Sequence, residues 1–201
     1  MNFAQEYIQQ LKQALDKLSL AQIEEIKDTL FNAYHQDRKI FIIGNGGSAA
    51  TASHFACDLS KGTTVGNPHM KKRFKVIALT DNIPLLTAWG NDIDFSQVFV
   101  EQLKNLLQEH DVVIAISGSG NSENILRAVE YANKQGALTI GLTGFAGGKL
   151  KDIAYKSLIV SSDSMARIED VHLILEHLIC SWLCEELKST SCKPTNECNS
   201  P

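Results

Sequence analysis

Five times along this chain an apolar run ends in a short loop of Gly, Ser, Thr, Asn or Asp, and that alternation limits the fold more than any other feature. The runs are KIFIIGNGGS from Lys39, KVIALTDN from Lys75, DVVIAISGSGNS from Asp111, ALTIGLTG from Ala137 and KSLIVSSDS from Lys156. Helical stretches lie between and after them, at about 48–61, 95–108, 122–134 and 165–188. Short apolar strands that alternate with helices predict a parallel α/β sheet with helices on both faces. The expectation is a five-stranded sheet in one domain over residues 1–188. Open sheets of this kind bind ligands at the carboxyl ends of their strands. Each polar loop is therefore a candidate site.

Residues 1–38 precede the first strand and read as a pair of amphipathic helices. Phe3, Tyr7, Leu11, Leu15 and Leu18 form one stripe, and Leu20, Ile23, Ile26, Leu30 and Tyr34 form the next. Ser19 is placed to cap the second helix. At the other end, residues 189–201 are polar and poor in core formers, which predicts a disordered tail. With 44% hydrophobic and 21% charged residues, the chain is neither disordered nor fibrous. Its 19 Lys+Arg against 23 Asp+Glu leave a net charge of −4, so nucleic acid is not an expected partner. The one dense basic run, Lys71, Lys72, Arg73 and Lys75, reads as a solvated loop. No apolar run is long enough to span a membrane, and the N-terminus lacks the apolar core of a secretory signal. The five cysteines (Cys57, Cys180, Cys184, Cys192 and Cys198) include no CxxC and read as free thiols in a cytoplasmic protein. Cys192 and Cys198 read as part of the polar tail rather than as a metal pair.

Two loops stand out. Ser117-Gly118-Ser119-Gly120-Asn121-Ser122 follows the third strand and opens a helix near Glu123. Hydroxyls and backbone N–H groups at a helix N-terminus suit an anion. With no Lys, the loop fits a phosphate monoester rather than a nucleotide triphosphate, although Ser/Gly turns also serve as simple caps. Gly44-Asn45-Gly46-Gly47-Ser48 follows the first strand and is a poor dinucleotide fingerprint. It reads better as a loop, with Gly46 and Gly47 at its centre, that lets a substrate approach the backbone.

Two helices carry ionisable side chains. His54 and Asp58 are four residues apart, about 40° around a helix, and share a face. The last long helix is apolar nearly all round, yet it holds Glu169, His172, Glu176 and His177. Buried polar groups must be paired or bind a ligand. His172 and Glu176 are spaced to satisfy each other. If both helices face one cleft, His54, Asp58, Glu169 and His177 form a two-His, two-carboxylate set. Such a set could hold zinc or serve as general acid and base without metal.

With GNGGSAATASHFACDL, ISGSGNSENILRAVEYA, LTGFAGGKL and ARIEDVHLILEHL in order, residues 2–188 resemble the phosphoheptose isomerases of the sugar isomerase (SIS) superfamily. The resemblance implies a flavodoxin-like three-layer SIS domain and a homotetramer with sites at subunit interfaces. It implies isomerisation of sedoheptulose 7-phosphate to D-glycero-D-manno-heptose 7-phosphate, or action on a related sugar phosphate, toward bacterial surface polysaccharides such as lipopolysaccharide. By the same resemblance Ser117, Ser119 and Ser122 hold the phosphate, and Asn45, Ser48 and Asp81 lie near the sugar. Asp58 is the proton-transfer base with His177 as its acid partner. One zinc ion is held by His54, Asp58, Glu169 and His177, and Glu169 is also placed at the substrate.

Three positions depart from the family. Asp58 replaces the usual Glu and reaches about 1.5 Å less. Glu169 replaces the usual Gln and adds a negative charge that favours a divalent cation or raises a neighbouring acid's pKa. Gly118 replaces a frequent Thr and removes a hydroxyl. Two rival readings are a non-catalytic SIS-domain binding protein of the replication-initiator-associating type and a phosphosugar-sensing regulator. The ligand-capable side chains favour the enzyme.

Overall fold

The computed structural model describes residues 2–65 and 72–191. Five parallel strands form one sheet: β1 (Lys39–Gly44), β2 (Lys75–Ala78), β3 (Val112–Ser117), β4 (Leu138–Gly144) and β5 (Lys156–Val160), in the order β2-β1-β3-β4-β5. The fold class expected from the alternating pattern is thus the one observed. β1 lies at the switch point of this order. It pairs with β2 on one side, in the register Lys39↔Lys75, and with β3 on the other, in the register Ile40↔Val112. Chain connections leave β1 and β3 in opposite directions, so a crevice opens between the loops that follow them.

Strand side chains alternate between the two faces of the sheet. Ile40 and Ile42 join one core with α1 (Phe3–Asp16), α2 (Leu20–His35), α3 (Gly47–Cys57) and α8 (Met165–Ser191). Phe41 and Ile43 join the other core, with α4 (Ile83–Asp92), α5 (Val100–Leu106), α6 (Glu123–Lys134) and α7 (Leu150–Ile153). The two N-terminal helices are present. Ser19 caps α2 by accepting a hydrogen bond from the Gln22 N–H, and Ile23, Ile26 and Leu30 of the predicted stripe are buried. Phe3 and Leu20, at the ends of their stripes, are exposed.

Four boundaries differ from expectation. The helix expected over 95–108 is a 3₁₀ turn, Phe95–Gln97, followed by α5. The helix expected over 48–61 is α-helical only to Cys57 and continues as a π-helical turn, Asp58–Gly62. The stretch after β2, where no helix is among those expected, folds as α4, with Asn82 as its cap and Pro84 in its first turn. α8 runs on to Ser191, so the first residues of the expected tail are helical. Cys192, Cys198 and the rest of that tail lie outside the described residues, as does Lys71 of the basic run. In that run Lys72 donates to the His35 carbonyl at 2.6 Å and Lys75 pairs with Asp37 at 2.5 Å. Cys57, Cys180 and Cys184 are free thiols. Among the described residues no helix is long and apolar enough to cross a membrane.

Candidate active site

The loops after β1 and β3 meet at the switch point. Asn45 and Asn124 exchange two amide hydrogen bonds, each 2.9 Å, which tie the first loop to the start of α6. Below this bridge lies a hollow of about 240 Å³, lined by Asn45, Gly46, Gly47, Ser48, Ser117, Gly118, Ser119, Ser122, Met165 and Glu169 among others. Eight of the nine residues expected at the substrate therefore converge on one hollow. The hydroxyls are arranged by the turn itself. Ser117 Oγ accepts from the Gly120 N–H at 3.1 Å and stands 3.5 Å from Ser122 Oγ. Ser122 sits at the cap position of α6 without making a side-chain capping bond, so its hydroxyl faces other partners. The hollow has no Lys or Arg in its lining. An anion there would rest on neutral donors and the positive end of the 12-residue α6.

Close approach explains two glycines. A Cβ on Gly47 would lie 2.7 Å from the Glu169 carboxylate, and one on Gly118 would lie 2.4 Å from Met165 Sδ. α8 therefore presses its first turns against both loops, and a side chain at either glycine would have to displace Glu169 or Met165. This contact places Glu169 in the hollow.

The ninth residue, Asp81, lies elsewhere. Ser53 donates a short hydrogen bond to its carboxylate. It lines a separate hollow of about 740 Å³ with Ser53, Cys57, Lys61, Asn82 and Pro84.

A second cluster lies further along α3 and α8, which pack side by side on one face of the sheet. His54 Nε2 is 3.4 Å from His177 Nε2, and the rings cross at 82°. Asp58 Oδ2 lies 3.7 Å from His54 Nε2 and 4.0 Å from His177 Nε2. Asp58 opens the π-helical turn, a distortion found mostly at functional sites. Glu176 completes the group, with Oε2 3.4 Å from His177 Nε2, and ligand atoms of all four residues lie within 4.8 Å of one another.

Glu169, expected as the fourth member of this set, lies two turns earlier on α8 with its carboxylate against Gly47, and Glu176 stands beside His54, Asp58 and His177. The expected His172–Glu176 pair is also replaced. His172 turns to the sheet, where Nε2 meets the Thr143 carbonyl at 3.2 Å. Burial lowers its pKa to about 4. Glu176 turns toward α3. Its side chain is 0% exposed, against 44% for His54 and 51% for His177. Burial, and then the nearby negative charge of Asp58, push the Glu176 carboxyl up to about 8. Burial likewise raises the Cys180 thiol beside it. The sequence carried one signal for Glu176: an acid on an apolar helix next to a histidine.

Donors bound about 2.0–2.1 Å from a tetrahedral zinc stand about 3.3 Å apart. The His54–His177 spacing of 3.4 Å matches, and the Asp58 spacings are slightly looser. Two imidazoles and a carboxylate therefore fit zinc in type and in position.

Comparisons with known proteins place the fold in a family. The SIS domain family model matches residues 3–144. A phosphoheptose isomerase of Nitratiruptor sp. is 44% identical over 154 residues, covering 76% of this chain and 80% of that protein. One from Aquifex aeolicus is 39% identical over 179 residues, covering 89% and 91%. The solved phosphoheptose isomerase of Neisseria gonorrhoeae superposes with a TM-score of 0.81 at 33% identity, covering 90% of this chain and 96% of that one. That of Francisella tularensis gives 0.83 at 31%, covering 91% and 95%. With its sheet order, its serine loop and its histidine–carboxylate cluster on the page, this chain belongs to the phosphoheptose isomerases of the SIS domain family.

Proposed function

We infer that this chain is an aldose–ketose isomerase that converts sedoheptulose 7-phosphate into D-glycero-D-manno-heptose 7-phosphate. The observation that carries the reading is the pairing of an anion cradle with an acid–base cluster along the same two helices. Glu169 in the hollow and His177 in the cluster are eight residues apart on α8, about 12 Å along its axis. An extended seven-carbon sugar phosphate reaches about 10 Å from its first carbon to phosphorus. With the phosphate on Ser117, Ser119, Ser122 and the α6 N-terminus, the carbonyl end therefore falls beside Asp58 and His177. Asn45, Gly46, Gly47, Ser48 and Glu169 then line the path of the sugar hydroxyls. Asp81 lies near the sugar only if the substrate also extends across α3.

Asp58 takes the proton from C1 of the ketose, and the C1–H electron pair forms the C1=C2 double bond of an enediolate. The carbonyl π pair moves to O2, which takes a proton from protonated His177, leaving that ring neutral. The proton held by Asp58 returns to C2 while O1 loses its proton to His177, which restores both groups and leaves the aldose. His54, Asp58 and His177 would hold a zinc ion, which when bound would supply, in place of the His177 proton, positive charge beside the enediolate oxygens.

The half-exposed His54 and His177 support a homotetramer in which a neighbouring subunit covers the cluster. A substrate of this class supports a cytoplasmic enzyme at the start of heptose supply for surface polysaccharides. The test compares sedoheptulose 7-phosphate with unphosphorylated sedoheptulose. The phosphorylated sugar should turn over with a kcat/KM at least a hundredfold higher, and His177→Ala should abolish turnover. Equal use of both sugars would remove the role of the serine loop.

A further inference from the structure

We propose that Asn121 and the glycine turn Gly147-Gly148 form a positioning brace for the substrate phosphate: they hold the serine loop from behind and fix the direction of its hydroxyls. The proposal rests on the reading above in one respect, that the serine loop receives the phosphate.

The loop at 145–149, between β4 and α7, runs beside the serine loop. Neither it nor Asn121 lines the hollow, so these residues do not meet the substrate there. They meet the serine loop instead. The Gly144 N–H donates to the Gly118 carbonyl at 2.9 Å, and the Leu150 N–H donates to the Gly120 carbonyl at 2.9 Å. The Asn121 side chain clips the two loops together. Its Nδ2 donates to the Ser119 carbonyl at 2.9 Å, and its Oδ1 accepts from the Lys149 N–H at 3.1 Å.

The two backbones also touch directly. A Cβ on Gly120 would lie 2.1 Å from the Gly147 carbonyl oxygen, and one on Gly148 would lie 2.4 Å from the Ser119 carbonyl oxygen. Gly120, Gly147 and Gly148 have φ of 64°, 92° and 56°, in the region that favours glycine. Side chains at these positions would push the loops apart.

This contact reaches the hydroxyls through the backbone. Ser117 Oγ accepts from the Gly120 N–H at 3.1 Å, and Ser119 Oγ accepts from the Asn121 N–H at 3.2 Å. A hydroxyl that accepts from the backbone keeps its own proton to donate. Both N–H groups belong to the stretch that Gly147, Lys149 and Leu150 hold. The hollow has no Lys or Arg in its lining, so phosphate affinity depends on how well neutral donors are aimed. A serine loop with two glycines of its own stays aimed only if something outside it holds it.

Equilibrium dialysis of the full-length protein against sedoheptulose 7-phosphate measures binding whether or not the sugar turns over. Each variant is measured at a temperature where circular dichroism shows it folded. Asn121 is exposed, so Asn121→Ala leaves the core intact. It should weaken binding at least about fivefold, and in steady-state assays it should raise KM more than it lowers kcat. Gly148→Ala, whose methyl pushes on the Ser119 carbonyl, should act in the same direction. Should Gly148→Ala fail to fold, Asn121→Ala decides alone. Unphosphorylated sedoheptulose has no phosphate to place, so its kcat/KM should fall much less. Equal losses for both sugars would overturn the brace, because general damage to the site would explain them. Ser119→Ala separates the brace from the reading beneath it. If Ser119→Ala weakens binding and Asn121→Ala does not, the brace alone is overturned. If Ser119→Ala binds as tightly as wild type, the phosphate lies elsewhere, and the serine-loop reading falls together with the brace.

Discussion

A side chain at position 118 would meet Met165 Sδ at 2.4 Å, so glycine there leaves room for the first turn of α8. Met165 is 42% exposed and can swing aside, so the obstacle is soft. Gly118→Thr should therefore cost about 1 kcal/mol of stability by overpacking. Thermal melts should show Met165→Ala recovering most of that loss in the double variant. His172 makes a prediction of a different kind. Its folded pKa of about 4 lies below the ordinary histidine value of 6.5. As pH falls from 6.5 toward 4, the unfolded chain gains a proton that the folded chain refuses. Stability therefore falls with pH through that window, by at most about 1.4 kcal/mol per unit, and this contribution levels off below pH 4. Replacing the ring by His172→Gln should flatten the pH dependence of unfolding relative to wild type. An unchanged slope would contradict the burial argument. At this scale the sequence showed which residues were chemical but not all their neighbours. His54, Asp58 and His177 could be grouped from helical spacing. Glu176 stood outside the expected cluster because local spacing cannot say which flank of a largely apolar helix will meet α3.

The elements decide how the two parts of the site stay aligned. α3 begins with small residues, and its buried Ser48, Thr51 and Ala52 let α8 pack close. Both helices thereby carry the hollow at their first turns and the histidine cluster further along. The Asn45–Asn124 bridge holds the loops of β1 and β3 together above the hollow. Asn124→Ala should leave the Asn45 amide short of partners and cost about 1–3 kcal/mol. It should raise KM for the phosphorylated sugar severalfold while leaving kcat within about twofold. A fall in kcat with KM unchanged would place the bridge at the chemistry instead. Asn124 carried no sign of this role in the sequence, because its partner lies 79 positions away. α4 was legible and passed over. Asn82 followed by Pro84 is a cap and a first-turn proline, but α4 buries none of its residues fully and lacks a long apolar stripe.

The whole molecule follows from the strand order. Apolar strands that alternate with helices fixed the class of fold, and the parity of Ile40 and Ile42 against Phe41 and Ile43 built its two cores. The switch point between β1 and β3 could not be read from strand count alone, since pairing order depends on long-range contacts. Nor could the position of the histidine cluster. It sits along the helices rather than at the strand ends where the other polar groups gather. Its half-exposed histidines, together with exposed Phe3, Ile8, Leu20, Ile93 and Phe95, suit burial between subunits. Light scattering should give four times the 22.1 kDa chain mass, and a monomer would contradict a site shared between subunits. The central claim is that Asp58 moves a proton on a phosphorylated ketose held by the serine loop. An NMR time course of sedoheptulose 7-phosphate with zinc-supplemented protein tests it most directly. The account predicts that the heptose 7-phosphate appears with wild type and forms at least a hundredfold more slowly with Asp58→Asn. No product from wild type, or equal rates for both proteins, would contradict it.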